Sequence, residues 1–323
     1  ARFNGQNSIV LVPRNQVAPW TAGFQEFRDR HLVRLADGPP DVIEVTGAGK
    51  DENFTVQHQA DDSWRVIKPL DLPADPKIMR AFLTNLTGIE VLRSDNRVAV
   101  DDTVPPDSPL YGLATPARRY ILKRTNNSKN EIMAELDFGS AKDGHIFARR
   151  ADLPQESSVY AVKLEDFQKL PATALQLRDR RIWDFSETNV SSITICQNGK
   201  NEQLVHKGPN KWTIGTGSGM INELEVEVAA QELGFLAADN WIQRGDTDRE
   251  RYGFTNKLLQ ISVDLKEGDR PKTLTVYLGG VAPNGLRYGD TQLDDGLNWI
   301  FEFQPKFLDE LNAYLNIHEN PGP

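Results

Sequence analysis

An internal repeat of about 150 residues constrains the fold of this chain more than any other feature of its sequence. The spacing between matching residues starts at 150 and falls steadily to 140 along the chain. Shorter loops in the second copy would produce such a drift, whereas chance matches would scatter. The matching sets are Arg28-Asp29-Arg30 with Arg178-Asp179-Arg180, Trp64 with Trp212, Asp75 with Asn222, Gly88 with Gly234, Tyr111-Gly112-Leu113 with Tyr252-Gly253-Phe254, Gly139 with Gly279, and Phe167 with Phe307. Two consecutive copies of one folding unit are therefore predicted.

The repeat also predicts the domain boundaries. The first copy is assigned to residues 42–188, the second to residues 189–318, and residues 319–323 to a tail. Residues 1–41 are expected to be the closing part of a preceding copy, because residues 6–10 followed by Val17 line up with residues 156–160 followed by Phe167. We accordingly expect the chain to be part of a longer protein.

Each copy shows the same helix signals after its tryptophan. Asp75 is a suitable N-cap with Pro76 behind it, and Asn222 takes the same place in the second copy. Glycine is expected to end both helices, at Gly88 and at Gly234. The apolar face is predicted to consist of Ile78, Met79, Phe82, Leu83 and Leu86 in the first helix, and of Leu224, Val228, Ala229 and Leu233 in the second.

Alternating apolar residues predict strands around these helices. A strand opens each copy, at residues 42–45 and 190–195, and a second strand carries the tryptophan. A β-meander follows the Tyr-Gly turn, and a final strand leads into a short helix. The predicted fold class is α+β, with tandem repeated units that each form a mainly antiparallel sheet with a packed helix.

Charge excludes two classes of partner. The chain has a formal net charge of -9 and a pI near 5.2, so nucleic acid and anionic lipid surfaces would repel it. Its apolar runs are far shorter than the roughly 20 residues that cross a bilayer. A membrane attachment would have to lie in a segment outside this sequence.

No residue pattern predicts catalysis, a cofactor or a metal. The five histidines lie far apart without a metal-ligand spacing, and none is expected to have a counterpart in the other copy. They are His31, His58, His145, His206 and His318. The glycine-rich run 215–219 lacks the Lys-Ser/Thr of a phosphate loop, and the first copy has residues 68–73 there, so a linker is expected.

Acidic loops leave one alternative open. Asp246, Asp248 and Glu250 alternate, and Asp290, Asp294 and Asp295 cluster, so either set could supply oxygen ligands to calcium. Neither set has the EF-hand spacing, and a cap or turn role for Asp248, at the place of Asp107, is the simpler interpretation. We therefore predict no metal, no cofactor, no catalytic residue and no enzyme activity, and binding residues are not assigned.

The remaining repeated residues have structural interpretations. The Arg-Asp-Arg sets are expected to form an ion-paired joint between a helix and the next strand, with a recognition surface as the alternative. Trp64 and Trp212 are expected to pack in equivalent cores, since aromatic burial dominates small cores. Cys196 stands alone in an apolar run and is interpreted as a small core residue.

This order of motifs resembles the family known as domain of unknown function 4340. The motifs that carry the resemblance are Trp64 to Pro69, Asp75, Tyr111-Gly112-Leu113, Phe138-Gly139, Tyr160-Ala161-Val162 and Arg178-Asp179-Arg180. The second copy departs from it with Gly215 and Ile300 in place of a Pro-containing strand end and the final Tyr. The resemblance implies bacterial proteins with an N-terminal membrane anchor, encoded beside ABC transporters of the gliding-motility type, and it assigns no functional residues.

The leading hypothesis is a non-catalytic interaction module in the periplasm or another extracytoplasmic space. The resemblance implies an accessory subunit of an ABC-type transporter complex, anchored to the inner membrane in the full-length protein, with permease or related subunits as partners. Two alternatives remain at this stage. One is a module that binds cell-envelope glycan, and the other is a carbohydrate-active or peptide-cleaving enzyme with a site between the copies.

Overall fold

The computed structural model describes residues 10–17, 29–49, 51–93, 99–103, 105, 108–126, 129–153, 158–217, 219–245, 247–254, 259–266 and 272–315. The chain forms two compact units, Ala1–Arg178 and Asp179–Pro323, which we call unit one and unit two. Residues 180–182 belong to unit two in this division, and the backbones of Arg180 and Ile182 hydrogen-bond with those of Ala238 and Leu236. Arg30 and Leu32 make the matching backbone bonds in unit one.

Unit one is built on an eight-stranded antiparallel sheet in the order β4-β3-β2-β1-β5-β6-β7-β8. Its elements are α1 (Arg14–Val17), β1 (Val42–Gly47), β2 (Phe54–His58), β3 (Trp64–Lys68), β4 (Leu72–Pro73), α2 (Pro76–Thr87), β5 (Arg118–Asn126), β6 (Lys129–Lys142), β7 (His145–Arg150), β8 (Tyr160–Lys163), α3 (Leu164–Gln168) and a 3₁₀ helix (Ala174–Gln176).

Unit two has an eight-stranded antiparallel sheet in the order β11-β10-β9-β13-β14-β15-β16-β12. Its elements are a 3₁₀ helix (Glu187–Asn189), β9 (Val190–Gln197), β10 (Lys200–Gly208), β11 (Lys211–Thr216), α4 (Glu223–Gly234), β12 (Asn240–Arg244), a second 3₁₀ helix (Arg249–Tyr252), β13 (Leu259–Leu265), β14 (Lys272–Val281), β15 (Arg287–Gln292), β16 (Asn298–Phe303) and α5 (Pro305–Tyr314).

The two sheets confirm two similar units in which antiparallel strands dominate. Seven strands follow one another in the same spatial order in both, and the eighth strand is added at opposite edges, as β4 in unit one and as β12 in unit two. A single bridge between Val91 and Val162 stands in unit one where β12 pairs with β16 in unit two. Alternation predicted one strand at each tryptophan, but the structure has a hairpin there, β2–β3 in unit one and β10–β11 in unit two. Strands β7 and β15 were not predicted either.

The predicted caps begin both helices. The Asp75 side chain accepts hydrogen bonds from the backbone N–H groups of Lys77 and Ile78 at 2.8 and 3.1 Å, and Asn222 accepts from Leu224 at 3.2 Å. The buried face of α2 consists of Met79, Phe82 and Leu86. That of α4 consists of Val226, Ala229, Ala230 and Leu233, with Gly234 behind them.

The helix ends do not correspond as the sequence predicted. The first helix ends before Gly88, but Gly234 lies inside α4 and Phe235 follows it. The two helices therefore match at a spacing of 147, with Phe235 at the place of Gly88. Gly234 is required for a different reason, since a Cβ there would clash with the carbonyl oxygen of Phe185.

The repeated Tyr-Gly turn packs on a repeated glycine of the meander. A Cβ on Gly139 would clash with the carbonyl oxygen of Tyr111, and a Cβ on Gly279 would lie 2.5 Å from that of Tyr252. The glycine after each tyrosine has a positive φ, of 70° and 79°. These matches thus share one cause, the close approach of two backbones that a side chain would prevent.

No helix within the described ranges is long and apolar enough to span a bilayer.

Candidate interaction surface

The exposed face of α4 carries apolar side chains. Leu224, Val228 and Phe235, which we call the α4 stripe, are 62%, 40% and 63% exposed. Leu224 and Val228 are four positions apart and lie on the same side of α4, and Phe235 follows the last residue of the helix on that side. The prediction from periodicity that Leu224 and Val228 lie on the buried face is wrong.

The reason for that error is that α4 is apolar on two sides. Its buried face of Val226, Ala229 and Leu233 leaves the α4 stripe on the opposite side. Periodicity alone cannot choose between two apolar faces. The repeat contains the missing signal, because at a spacing of 147 the buried residues of α2 fall on Val226, Ala229 and Leu233.

Unit one has no comparable stripe at the matching positions of α2. Lys77 stands at the place of Leu224, Ala81 at that of Val228, and Gly88 at that of Phe235. All three positions are exposed in α2. A partner that needs apolar contact would therefore gain much less from α2 than from α4.

A groove of about 480 Å³ lies where α4 ends and α5 begins. Its walls include the rings of Phe235 and Phe307 together with Glu232, Asp239 and Glu310, and we call it the acidic groove. Phe235 belongs both to the α4 stripe and to this groove. The two features thus form one continuous surface that is apolar at one end and acidic at the other.

Acidic side chains outnumber basic ones on this surface. Residues 212–243 contain five acidic side chains and no Lys or Arg. Burial raises the pKa of the Glu232 carboxyl, the nearby Glu310 raises it further, and Lys306 partly offsets both. The Oε2 atom of Glu232 is shielded from water and has no hydrogen-bond partner among the described residues.

Two of the histidines do have counterparts, contrary to the sequence prediction. His58 pairs with Trp64 across β2 and β3, and His206 pairs with Trp212 across β10 and β11. The ring centroids are 5.0 Å apart in unit one and 4.5 Å apart in unit two, where the rings are stacked. A spacing of 148 relates both members of the pair, so the repeat extends to this contact.

The two tryptophans, however, do not pack in equivalent surroundings as expected. Trp212 is 2% exposed and its indole N–H donates to Glu227 Oε2 at 2.6 Å, whereas Trp64 is only half-buried. The Nε2 atom of His206 lies 3.5 Å from the same Glu227 oxygen. Unit two thus has a buried polar cluster where unit one has a surface pair.

The other candidate residues lie in separate local contacts. His31 Nδ1 is 3.0 Å from Asp29 Oδ1, and the His145 ring lies against Phe147. Cys196 is half-buried rather than in the core. Arg28, Asp107, Ser218, Asp246, His318 and residues 1–9, 156–157 and 319–323 lie outside the described residues.

The Arg-Asp-Arg sets make ionic and backbone contacts. Arg30 pairs with Glu90, which follows α2, at 2.9 Å. The corresponding Arg180 donates instead to the backbone oxygen of Asp239. In both units, this arginine therefore contacts the segment that follows the helix. The contact of Arg30 is an ion pair, and that of Arg180 is a hydrogen bond to the backbone.

The three residues of the second acidic cluster, Asp290, Asp294 and Asp295, each contact a different side chain. Asp290 is fully buried and pairs with Arg249, Asp294 pairs with Lys272, and Asp295 accepts from the Trp299 indole. Within the described ranges, no three His, Cys, Asp or Glu side chains are grouped so that they could hold a metal ion.

Each unit buries a charge whose burial the sequence did not indicate: Asp137 was not singled out, and Asp290 was assigned to an acidic loop although it lies on β15. In unit one, Asp137 on β6 accepts from Arg119 at 2.6 Å and from Arg149 at 2.8 Å. In unit two the buried acid is Asp290 on β15. Asp290 occupies the position in the sheet that corresponds to Arg149 in unit one. Single charged residues within alternating strands carry no local signal of burial, so only the fold reveals these pairs.

The comparison with protein families agrees with the resemblance found in the sequence. A family described as "Domain of unknown function (DUF4340)" matches residues 64–220, just under half of the chain. The match runs from the first residue of β3 to the segment after β11, and so spans about one period of the repeat. No curated protein and no solved structure matches the chain significantly.

Proposed function

We propose that this chain is a non-catalytic interaction module that binds a partner protein through the α4 stripe. The observation that carries the proposal is the exposure of Leu224, Val228 and Phe235 on one helix face. Exposed apolar side chains that share one side of a surface helix are typical of interaction sites. The copy of this helix in unit one, which has Lys77 and Ala81 instead, supports a role for the stripe beyond folding.

The free energy that a partner would gain by covering the α4 stripe is moderate. Burying a large apolar side chain completely contributes on the order of 1.5–3 kcal/mol. Because the three side chains of the α4 stripe are 40–63% exposed, a partner that covers them would gain on the order of 3 kcal/mol from them. Further contacts around the stripe would be needed for a stable complex.

The resemblance to the family supports a more specific role. We propose an accessory subunit of an ABC-type transporter complex, located in the periplasm or another extracytoplasmic space and anchored to the inner membrane in the full-length protein. The resemblance implies that members of the family are encoded beside such transporters. The partner would then be a permease or a related subunit that presents an apolar segment to α4.

Site-specific photocrosslinking tests both statements. A benzophenone side chain is placed at Val228 of the full-length protein in its native membrane, and at Ala81 as the matched control. We expect a crosslink from position 228 to a transporter subunit, identified by mass spectrometry, and much weaker labelling from position 81. Equal labelling from both positions would contradict the docking role of the α4 stripe, and a partner unrelated to transport would contradict the accessory role.

The non-catalytic part of the proposal has its own test. Elemental analysis and a broad hydrolase screen on the purified protein are expected to find no stoichiometric metal and no turnover. Catalytic turnover that a single substitution abolishes would contradict the non-catalytic part of the proposal. The docking surface would then be tested by crosslinking alone.

A further inference from the structure

The acidic groove combines two kinds of wall that suit one chemical group. Phe235 and Phe307 supply aromatic rings, and Glu232, Glu310 and Asp239 supply carboxylates around the same space. A Lys or Arg side chain has an apolar stem that packs on rings and a cationic head that pairs with carboxylates. Neutral and anionic side chains would satisfy only one of the two walls.

The state of Glu232 also indicates a missing cation. Its Oε2 atom is shielded from water without a hydrogen-bond partner among the described residues, which is costly for a carboxylate. The charged groups around it are Glu310 and Lys306 on α5 and Asp239 before β12, whose backbone oxygen accepts from Arg180. Lys306 pairs with Glu310 at 3.1 Å. An added cation would supply what Glu232 lacks.

We propose that the acidic groove binds a Lys or Arg side chain from a basic, amphipathic segment of the partner that lies along the α4 stripe. This inference rests on the proposed docking function. The occupant is inferred from charge complementarity, since residues 212–243 hold five acidic side chains and no Lys or Arg. Phe235 joins the two contacts, because the ring that ends the stripe forms one wall of the groove.

Unit one provides the internal contrast. The exposed positions of α2 include Lys77 and Arg80, which would repel a basic segment. Arg80 stands at the place of Glu227, whose carboxylate is turned to Trp212, so the contrast at the surface rests on Lys77 against Leu224. A basic partner would therefore select α4 over α2.

Titration with a defined probe tests the groove. The probe is a helical peptide of Leu and Lys with one apolar face, and its counterpart has Glu in place of every Lys. Binding to the full chain is measured by isothermal titration calorimetry. We expect binding of the Lys peptide only, and a loss of about tenfold in affinity for Glu232→Gln, as one charge-assisted contact contributes about that factor.

Glu225→Gln is the matched control, because it removes the same charge from the same helix outside the groove. We expect a change of less than about twofold, the size of a screened surface charge. Equal losses in both variants would overturn the groove and leave only a general charge effect. The raised pKa of Glu232 adds a second readout, since the difference between wild type and Glu232→Gln should vanish in acid as Glu232 is protonated.

The two proposals fail in distinguishable ways. Persistent crosslinking at Val228 with no preference for the Lys peptide would overturn the groove and retain the stripe. Loss of crosslinking together with loss of peptide binding in Leu224→Lys would support a single continuous surface. A second copy of this chain is the other candidate occupant of the groove, and sedimentation equilibrium tests for it. A dimer that dissociates in Glu232→Gln would contradict the proposal of a basic partner.

Discussion

The exposed faces of α2 and α4 differ although the two helices have the same place in the order of elements. Both are capped at the predicted residue and both bury the matching three positions against their sheet. Toward solvent, α2 presents Lys77 and Arg80, and α4 presents Leu224 and Val228. The two units thus agree where contacts hold the fold and differ where the helix meets water, which is where a partner would bind.

A second difference lies in the tryptophan hairpins. Both units pair a histidine with a tryptophan across neighbouring strands. Only in unit two, among the described residues, does a helix residue, Glu227, accept from the indole and approach the histidine. The same pair therefore serves as surface packing in one unit and as a helix-to-sheet contact in the other.

The largest expected difference between the units concerns their tryptophans. Trp212→Ala should lower the free energy of unfolding of unit two by about 3–5 kcal/mol, because it empties a buried site and removes the bond to Glu227. Trp64→Ala should cost unit one clearly less, since Trp64 is half-buried. Hydrogen exchange of peptides from β5 and β13 reports the two units separately. Equal losses would contradict the burial difference.

Alkaline pH should destabilise unit one through Tyr120. Burial raises the pKa of this phenol to about 12, and Ile261 takes its place in unit two. The unfolded chain loses the proton near pH 10, so the free energy of unfolding should fall by about 2–3 kcal/mol as pH rises from about 10 to about 12.

Tyr120→Phe provides the control in urea unfolding followed by circular dichroism. At neutral pH this variant should be about 1 kcal/mol less stable than wild type, because it loses the hydrogen bond to Pro171. The gap should close near pH 11 and reverse by about 1–2 kcal/mol near pH 12, because only wild type loses stability through the phenol. A gap that stays constant would show that the phenol does not titrate in this range.

Removing the acidic partners of His206 and His58 should lower the free energy of unfolding by a smaller amount. Glu227→Ala should cost unit two about 1–3 kcal/mol, since the buried indole N–H loses its acceptor. The matched change in unit one is Asp62→Ala, which removes an exposed partner of His58 and should cost less than about 1 kcal/mol. Thermal unfolding of both variants checks the comparison, and a larger loss for Asp62→Ala would reverse it.

The smallest effect on stability should come from the α4 stripe itself. Leu224→Lys copies the residue of unit one onto unit two and should change the free energy of unfolding by less than about 0.5 kcal/mol, because the side chain is exposed. The same variant should abolish the crosslink from Val228. Urea unfolding provides the stability value, and a loss above about 2 kcal/mol would mean that Leu224 supports the fold instead.

The duplication, the helix starts and several strands could be predicted from the sequence. Caps such as Asp75 and Asn222 act within one turn of helix, and alternation acts along one strand, so these signals are complete in a short window. The glycine pairs were found in the same way, although their cause, the approach of the Tyr-Gly backbone to Gly139 and Gly279, appears only in the fold.

Which apolar face of α4 is buried, and which residues meet in the groove, depends on contacts between elements. Hydrophobicity alone could not separate Leu224 from Leu233, because α4 is apolar on both sides. Contact with the sheet selected the face of Val226 and Leu233. Glu232 and Glu310 are 78 residues apart in sequence, and only the packing of α5 on α4 brings them together. Local signals specify elements, whereas a surface arises from contacts between elements.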